Sequence, residues 1–387
     1  ELYSSTFPGY GTGESSDPIA WLESRALAEV PEVDDIALPR EPEGPVSASV
    51  GGRWAGWRPI SLAPDFTLER VFWFIPLLIA FVMFHAGARD PERRRVFEAI
   101  LFVDFLALAL FGLIFAAVGN DRLYWIRPTV QETNPFGPYV NPAHFAAVME
   151  LAVPWVAAAA WSARRLKRRS ALPFPILLAT AACCFLAGVL SGSRAAVVLM
   201  SAAVILVVVT APVTQSIRWK LGAGMLGAAL IASLAITLAG VGRRVAGFFE
   251  LGAGGLTDVE RLAGWRAAWT MLNDFLTTGA GVGAFREVFP IYAPAGGDAR
   301  MAHLHNDYFE IVVETGWPGA LLLLAMLACF ARLAVINARR SLRARGLAIG
   351  LGCLFLHAAV DFNHQIPANA LLFVAAAGIL VAREDFD

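Results

Sequence analysis

Apolar residues in this 387-residue chain run in long blocks separated by short polar segments. A block of about 17 to 22 apolar residues is the length that crosses the hydrocarbon core of a bilayer as a helix. The pattern therefore predicts spans at roughly 68–86, 97–118, 144–161, 172–190, 195–211, 219–240, 318–336, 345–360 and 368–382. A different pattern appears inside the long polar segment 241–317. There ERLAGWRAAWTMLNDF places Leu262, Trp265, Ala268, Trp269 and Leu272 at helical spacing. This predicts an amphipathic helix at or just above the membrane interface, followed by a glycine-rich turn in LTTGAGVGAF. No internal repeat is present, and no low-complexity tract beyond the Ala/Leu/Val bias of the spans.

Composition supports this pattern. The chain is 57% hydrophobic and 16% charged, whereas soluble domains carry roughly a quarter charged residues. The expected fold is an all-α polytopic transmembrane bundle. The net charge of −1 hides a strong segregation of charge by loop. ARDPERRRV follows the first span, ARRLKRRS the third, and ARLAVINARRSLRAR the seventh; Arg218 and Lys220 follow the fifth. The positive-inside rule puts these loops in the cytoplasm. Outward then lie 1–66, 119–143, the SGSR turn at 191–194, the long segment 241–317, and DFNHQIP at 361–367.

Four parts result: an acidic outer segment 1–66, six helices over 67–240, a large outer loop 241–317, and three helices plus a tail over 318–387. Residues 1–66 carry eleven acids and four bases, and either cover an acceptor pocket or form a solvated loop. The chain begins at Glu1 with no signal-peptide pattern, so either a leader or earlier helices are expected before it. The cysteines Cys183, Cys184, Cys329 and Cys353 all sit in apolar blocks without C-x-x-C spacing. They predict neither a disulfide framework nor a metal site.

The uncommon polar residues gather on the outward side. They are Asn141, His144, Arg194, Arg261, Arg266, His303, His305, Asp361 and His364. Five of the six histidines fall there, the exception being His85 or His357 according to where those spans end. Ionisable groups beside a membrane core are more often functional than ornamental.

Each of these residues has two readings. Asn306 or Asp307 caps a short helix, with Glu310 placed to complete a capping box, and Gly316 and Pro318 break it before the next span. His305 would then sit at a helix N-terminus, where the dipole keeps imidazole neutral and able to accept a proton; alternatively it only hydrogen-bonds the loop. Arg194 opens an apolar helix, either as a snorkelling anchor or as a phosphate ligand beside helix N–H groups. Arg261 either grips an anion or pairs with Glu260 or Asp258. Asn141 before Pro142 reads as a turn and cap, and Asp361 with His364 as a loop bridge. Zinc is not expected, because His303 and His305 are two apart and no third ligand is evident.

Together, GPYVNPAHFAAVMEL, SGSRAA, ERLAGWRAAWTMLNDFLTTGAGVGAF, HLHNDYFEIVVETGWPG and HAAVDFNHQIP resemble the O-antigen ligase superfamily, which includes related polysaccharide polymerases. The resemblance runs from about residue 60 to the C-terminus. Its most specific piece is His305-Asn306, nine residues, then Gly316-x-x-Gly319, which fits the family's H-N-x9-G-x-x-G pattern. Two features depart from it: alanine follows Arg194 where glycine is usual, and the family's N-terminal helices are absent, which implies an incomplete bundle.

The resemblance implies a bundle similar to GT-C glycosyltransferases, in the bacterial inner membrane, with its site facing the periplasm. It implies transfer of a glycan from undecaprenyl pyrophosphate to an acceptor hydroxyl, on lipid A-core for a ligase or on another lipid-linked repeat for a polymerase. No nucleotide sugar, metal, other cofactor or nucleic acid is implied. His305 corresponds to the proposed catalytic histidine, and Arg194 and Arg261 to arginines that hold the pyrophosphate. Arg266, His303, Asn306, Asn141, Asp361 and His364 are possible supporting residues. A transporter or flippase is the competing class; it predicts charges within spans and helices broken at mid-membrane, whereas these spans are nearly free of charge apart from Asp104.

Overall fold

The structure, a computed structural model, describes residues 60–119, 122–127, 135–165, 172–211, 258–293 and 301–382. Ten α-helices form there: α1 Pro64–Gly87, α2 Pro91–Val118, α3 Pro142–Arg165, α4 Phe174–Leu190, α5 Arg194–Thr210, α6 Asp258–Asp274, α7 Phe285–Val288, α8 Asp307–Ala338, α9 Leu342–His357 and α10 Pro367–Val381. No strand occurs among the described residues. Every predicted span among them is a helix; the predicted span 219–240, Arg218 and Lys220, and residues 1–59 of the acidic segment 1–66 lie outside the described residues.

α3 is the axis of the bundle. It packs against α4, α5 and α9, and its aromatic Trp155 is fully buried against Phe102 and Phe105 of α2. α9 approaches it through Gly346 and Gly350, where a Cβ would run into the carbonyls of Pro154 and Leu151. Spaced by four, these glycines lie on one face and let two backbones touch, as small residues do in membrane bundles.

The periphery is apolar outward. α1 buries none of its residues and exposes Phe72, Phe74, Leu78 and Met83, and α8 exposes Leu321, Leu322, Leu324 and Met326. α1, α2, α3 and α8 are long and apolar enough to cross a membrane, while α4, α5 and α10 are shorter apolar helices. Such a surface is stable against hydrocarbon and not against water. The chain is a multi-pass, all-α membrane protein.

Helix ends sort by chemistry. Where α2 and α9 begin, Arg343 pairs with Glu98 at 3.1 Å, and Arg345 donates to the carbonyl of Thr210 at the end of α5. His85 lies near the end of α1, 3.4 Å from Arg89. At the other end of α9, the turn after His357 meets the start of α8, where the amide of Asp307 donates to the carbonyl of Ala358 at 2.9 Å. The start of α3 meets the start of α10 there, with Asn369 donating to the carbonyl of His144. His85 is therefore the odd histidine, and His357 belongs with the others.

The predicted α6 helix is present and its packed face is now defined. In α6 the buried stripe is Gly264, Ala267, Ala268, Met271 and Leu272, whereas Leu262 and Trp269 are exposed. Gly264 admits the side chain of Met301, so the small residues rather than the large ones mark the packed face. One expectation needs correction: the capping box does not form. Asn306 is the cap, its Oδ1 accepting from the amide of Phe309 at 2.9 Å, which places Glu310 one residue too late for that role. The predicted break is present: Gly316 has φ 65° and ψ −163° inside α8.

Candidate active site

The segment 301–306 carries the two closest histidines of the sequence, and three contacts fix it. Trp265 of α6 donates its indole N–H to the carbonyl of Leu304 at 2.9 Å. Glu310, one turn into α8, reaches back: its Oε2 accepts from the amide of Leu304 at 2.7 Å, and its Oε1 lies 2.8 Å from Nδ1 of His303. The glycine turn after α6 braces the far side. The amides of Ala280 and Gly281 donate to the carbonyls of Val313 and Glu314, and the amide of Trp317, freed by the Gly316 break, donates to the carbonyl of Leu276. Gly279 and Gly316 both have positive φ and would collide with backbone if they carried a Cβ, so glycine is required at each.

His305 has φ 53°, a left-handed conformation that is costly outside glycine and that clusters at functional sites. Its Nδ1 lies 3.3 Å from Oδ1 of Asp361, which is also 3.5 Å from Nε2 of His144. Oδ2 of Asp361 is 3.9 Å from Nε2 of His357. These are ion-pair distances, and the contacts to His305 and His144 lack the alignment of finished hydrogen bonds. Asp361 is 2% exposed. Burial by itself would push its carboxyl up; interaction with the imidazoles of His144 and His305, and the charge of His144 and His357, outweighs burial and holds it below the usual carboxylate range.

One phenylalanine organises the rings. Phe362 lies 4.5 Å from His144, 4.6 Å from His303 and 4.7 Å from His305, stacked on His303 and edge-on to the other two. His364 pairs with Asp307 at 2.9 Å through Nδ1, and its backbone amide donates to the same oxygen at 3.0 Å. Thus the 357–364 turn, the start of α3 and the start of α8 form one polar knot. Tyr139 extends it by donating to Oδ1 of Asn369 at 2.9 Å.

The remaining candidates divide. Arg261, half-buried in the first turn of α6, stands close enough for its charge to act on His357, and its Nε is buried without a hydrogen bond. Arg194 is exposed at the first turn of α5, behind the cap Ser193. Arg266 is exposed on α6. Asn141 is a cap, accepting from the amide of Ala143 at 2.8 Å, and Asn306 caps α8 as above.

Sequence reasoning left His357 open, and missed Glu150 as its partner, Asp307 and Glu310 as histidine partners, and Phe362. Glu150 was detectable, since it is a carboxylate inside an apolar run, and the spans are less free of charge than expected. Asp104, by contrast, is exposed.

Residues 179–324 match the family model described as O-antigen ligase. A stretch of the O-antigen ligase superfamily is thus present over those residues. No match occurs among curated proteins. The matched stretch contains Arg194, Arg261, His303 and His305, while His144 and the 357–364 turn pack onto it from outside that stretch. The match supports, in general terms, a membrane glycosyltransferase of the ligase or polymerase type with lipid-linked polysaccharide as substrate.

Proposed function

We propose that this protein transfers a glycan from undecaprenyl pyrophosphate to an acceptor sugar hydroxyl, as an O-antigen ligase does, on the periplasmic face of the inner membrane. The observation that carries the reading is the Asp361 carboxylate set against Nδ1 of His305. A carboxylate there favours the tautomer with hydrogen on Nδ1 and leaves the Nε2 lone pair as the proton acceptor.

The chemistry balances around that lone pair. The acceptor hydroxyl gives its proton to Nε2 of His305 as its oxygen bonds to the anomeric carbon. The bond from that carbon to the pyrophosphate oxygen breaks, and its electron pair leaves with the pyrophosphate. Arg194 and Arg261 neutralise the charge that accumulates there, a role suited to fixed guanidinium groups. The polyprenyl chain lies in the bilayer beside the bundle. Arg266, His303, Asn306, Asn141 and His364 shape the surroundings.

The same proposal includes the outward orientation of 241–317 and the division at 66, 240 and 317; the last boundary falls one residue after Gly316. Acceptor identity separates a ligase from a polymerase of the same superfamily. Purified protein is incubated with lipid-linked glycan, with and without lipid A-core. Glycan on lipid A-core marks a ligase, a ladder formed without it marks a polymerase, and no transfer to either sinks the assignment.

A further inference from the structure

Beneath Asp361, on the side away from His305, lies a second pair of ionisable groups that the transfer chemistry does not use directly. Glu150 is fully buried in α3, in the middle of an apolar run. Its Oε1 is 2.7 Å from Nδ1 of His357, itself 2% exposed. Its other oxygen has no hydrogen-bond partner. Burying a carboxylate among hydrocarbon is costly unless it is paired. The helix is also weakened at this turn, because Pro154 has no N–H to offer the carbonyl of Glu150. A purely structural role is a poor reason to keep a charge here, since an apolar residue of similar volume would pack at least as well.

The geometry favours a charge on the partner ring. With hydrogen on Nδ1 facing Glu150, a neutral His357 would point its Nε2 lone pair at Oδ2 of Asp361, 3.9 Å away. Two carboxylates on opposite sides of one imidazole favour the doubly protonated ring. His357 is also the last residue of α9, where the helix dipole favours a cation. With Glu150 ionised against that ring, the buried series runs carboxylate, imidazolium, carboxylate and ends at the histidine of the transfer step.

We propose that Glu150 and His357 are positioning residues that act on His305 through Asp361, setting its orientation and the pH at which it takes up a proton. This rests on the reading of His305 as base. The groups facing the series are His144 from α3, His303, Asp307 and Glu310 from the segment opening α8, His364 from the turn after α9, and Arg261 from α6. Glu150 contributes a negative charge to this field and His357 a positive one.

Opposite charges give opposite signatures. Glu150→Gln removes a negative charge and makes His305 harder to protonate, so the acidic limb of the pH–rate profile moves to lower pH. His357→Gln removes a positive charge and moves the same limb to higher pH. Each displacement should be roughly one pH unit, the scale of one nearby charge in a protein interior. Glu150→Asp keeps the charge and should leave the limb near its wild-type position.

The profiles are measured on full-length protein in lipid nanodiscs with lipid-linked glycan, alongside thermal unfolding. Losses of rate with no displacement, or displacements in the same direction, overturn the inference and leave a structural pair. His305→Ala in the same series separates the two failures. If it retains wild-type rate, the base assignment falls; if it is inactive while neither limb moves, only the role of Glu150 and His357 falls. Should Glu150→Gln not fold, His357→Gln and Glu150→Asp still decide, because the first predicts an upward displacement and the second predicts none.

Discussion

Asp361 sits 3.3 Å from Nδ1 of His305 while its own backbone carbonyl receives the amide of Asp307. The carboxylate is thus anchored by the turn that presents it. Asp361→Asn keeps the shape and loses the charge, so His305 should lose its preferred tautomer and part of its basicity. A fall in transfer of roughly 10- to 10²-fold is expected, a fraction of what a general base contributes. The folded protein holds this carboxyl low, so its stabilising contribution is present above the unfolded pKa of about 3.9 and is lost as pH falls toward the folded value. The stability gap between wild type and Asp361→Asn should therefore be present at pH 5 and shrink as pH falls below about 4. A gap that opens only below pH 5 and closes at neutrality contradicts that sign.

Gly350 supplies the closest approach of α9 to the α3 backbone near Glu150. Gly350→Leu cannot be accommodated without separating the two helices, and overpacking of this kind costs roughly 1–3 kcal/mol or more. Unfolding in detergent should shift to lower temperature, and the His357 contact should loosen with it. Gly352, which has open space around it, is the control: Gly352→Ala should leave the unfolding temperature unchanged.

How much of this was legible follows from what membranes do to patterns. Block length located the helices, because span length is set by the bilayer. Histidine placement pointed to one end of the bundle, and His144, His303, His305 and His364 do gather there. The periodicity of α6 gave the helix but not its packed face: Leu262 and Trp269 are exposed, since beside lipid an apolar side chain gains little by turning inward. Small residues such as Gly264 and Ala268 mark contact instead. The pairing of Glu150 with His357 joins positions 207 apart in sequence. No local spacing encodes it, and the ring hub at Phe362 is hidden for the same reason.

Topology has a direct check. The charge segregation puts 162–171 and 332–345 in the cytoplasm and 241–317 outside. Single cysteines on a background without native thiols report this in intact cells. An impermeant thiol reagent should label a cysteine in 241–317 and spare one at Arg168; labelling of position 168 from outside reverses the scheme.

Chelation probes the leaving group. If arginines alone neutralise the pyrophosphate, transfer should proceed at full rate in EDTA. A loss restored by magnesium or manganese would assign that charge to a divalent ion instead.

The final prediction separates the arginines from the histidine. Arg194 and Arg261 both stand in the first turn of a helix, α5 and α6, where cations oppose the dipole but helix N–H groups and a guanidinium together suit a phosphate. Their interaction with the donor should strengthen as the anomeric bond breaks and negative charge gathers. Removing either should cost roughly 10² to 10³ in rate, by analogy with lost oxyanion donors. Arg194→Lys keeps the charge but not the planar fork, so it should still lose activity. His305→Ala should cost about 10² to 10⁴ by removing the proton acceptor, yet leave donor affinity nearly intact. Donor binding measured beside turnover tells these apart. If the double variant Arg194→Ala, Arg261→Ala binds donor and turns over as wild type does, both arginines are interface anchors. The pyrophosphate must then be held by other groups, and the half-buried guanidinium of Arg261 near His357 would serve only the local charge balance.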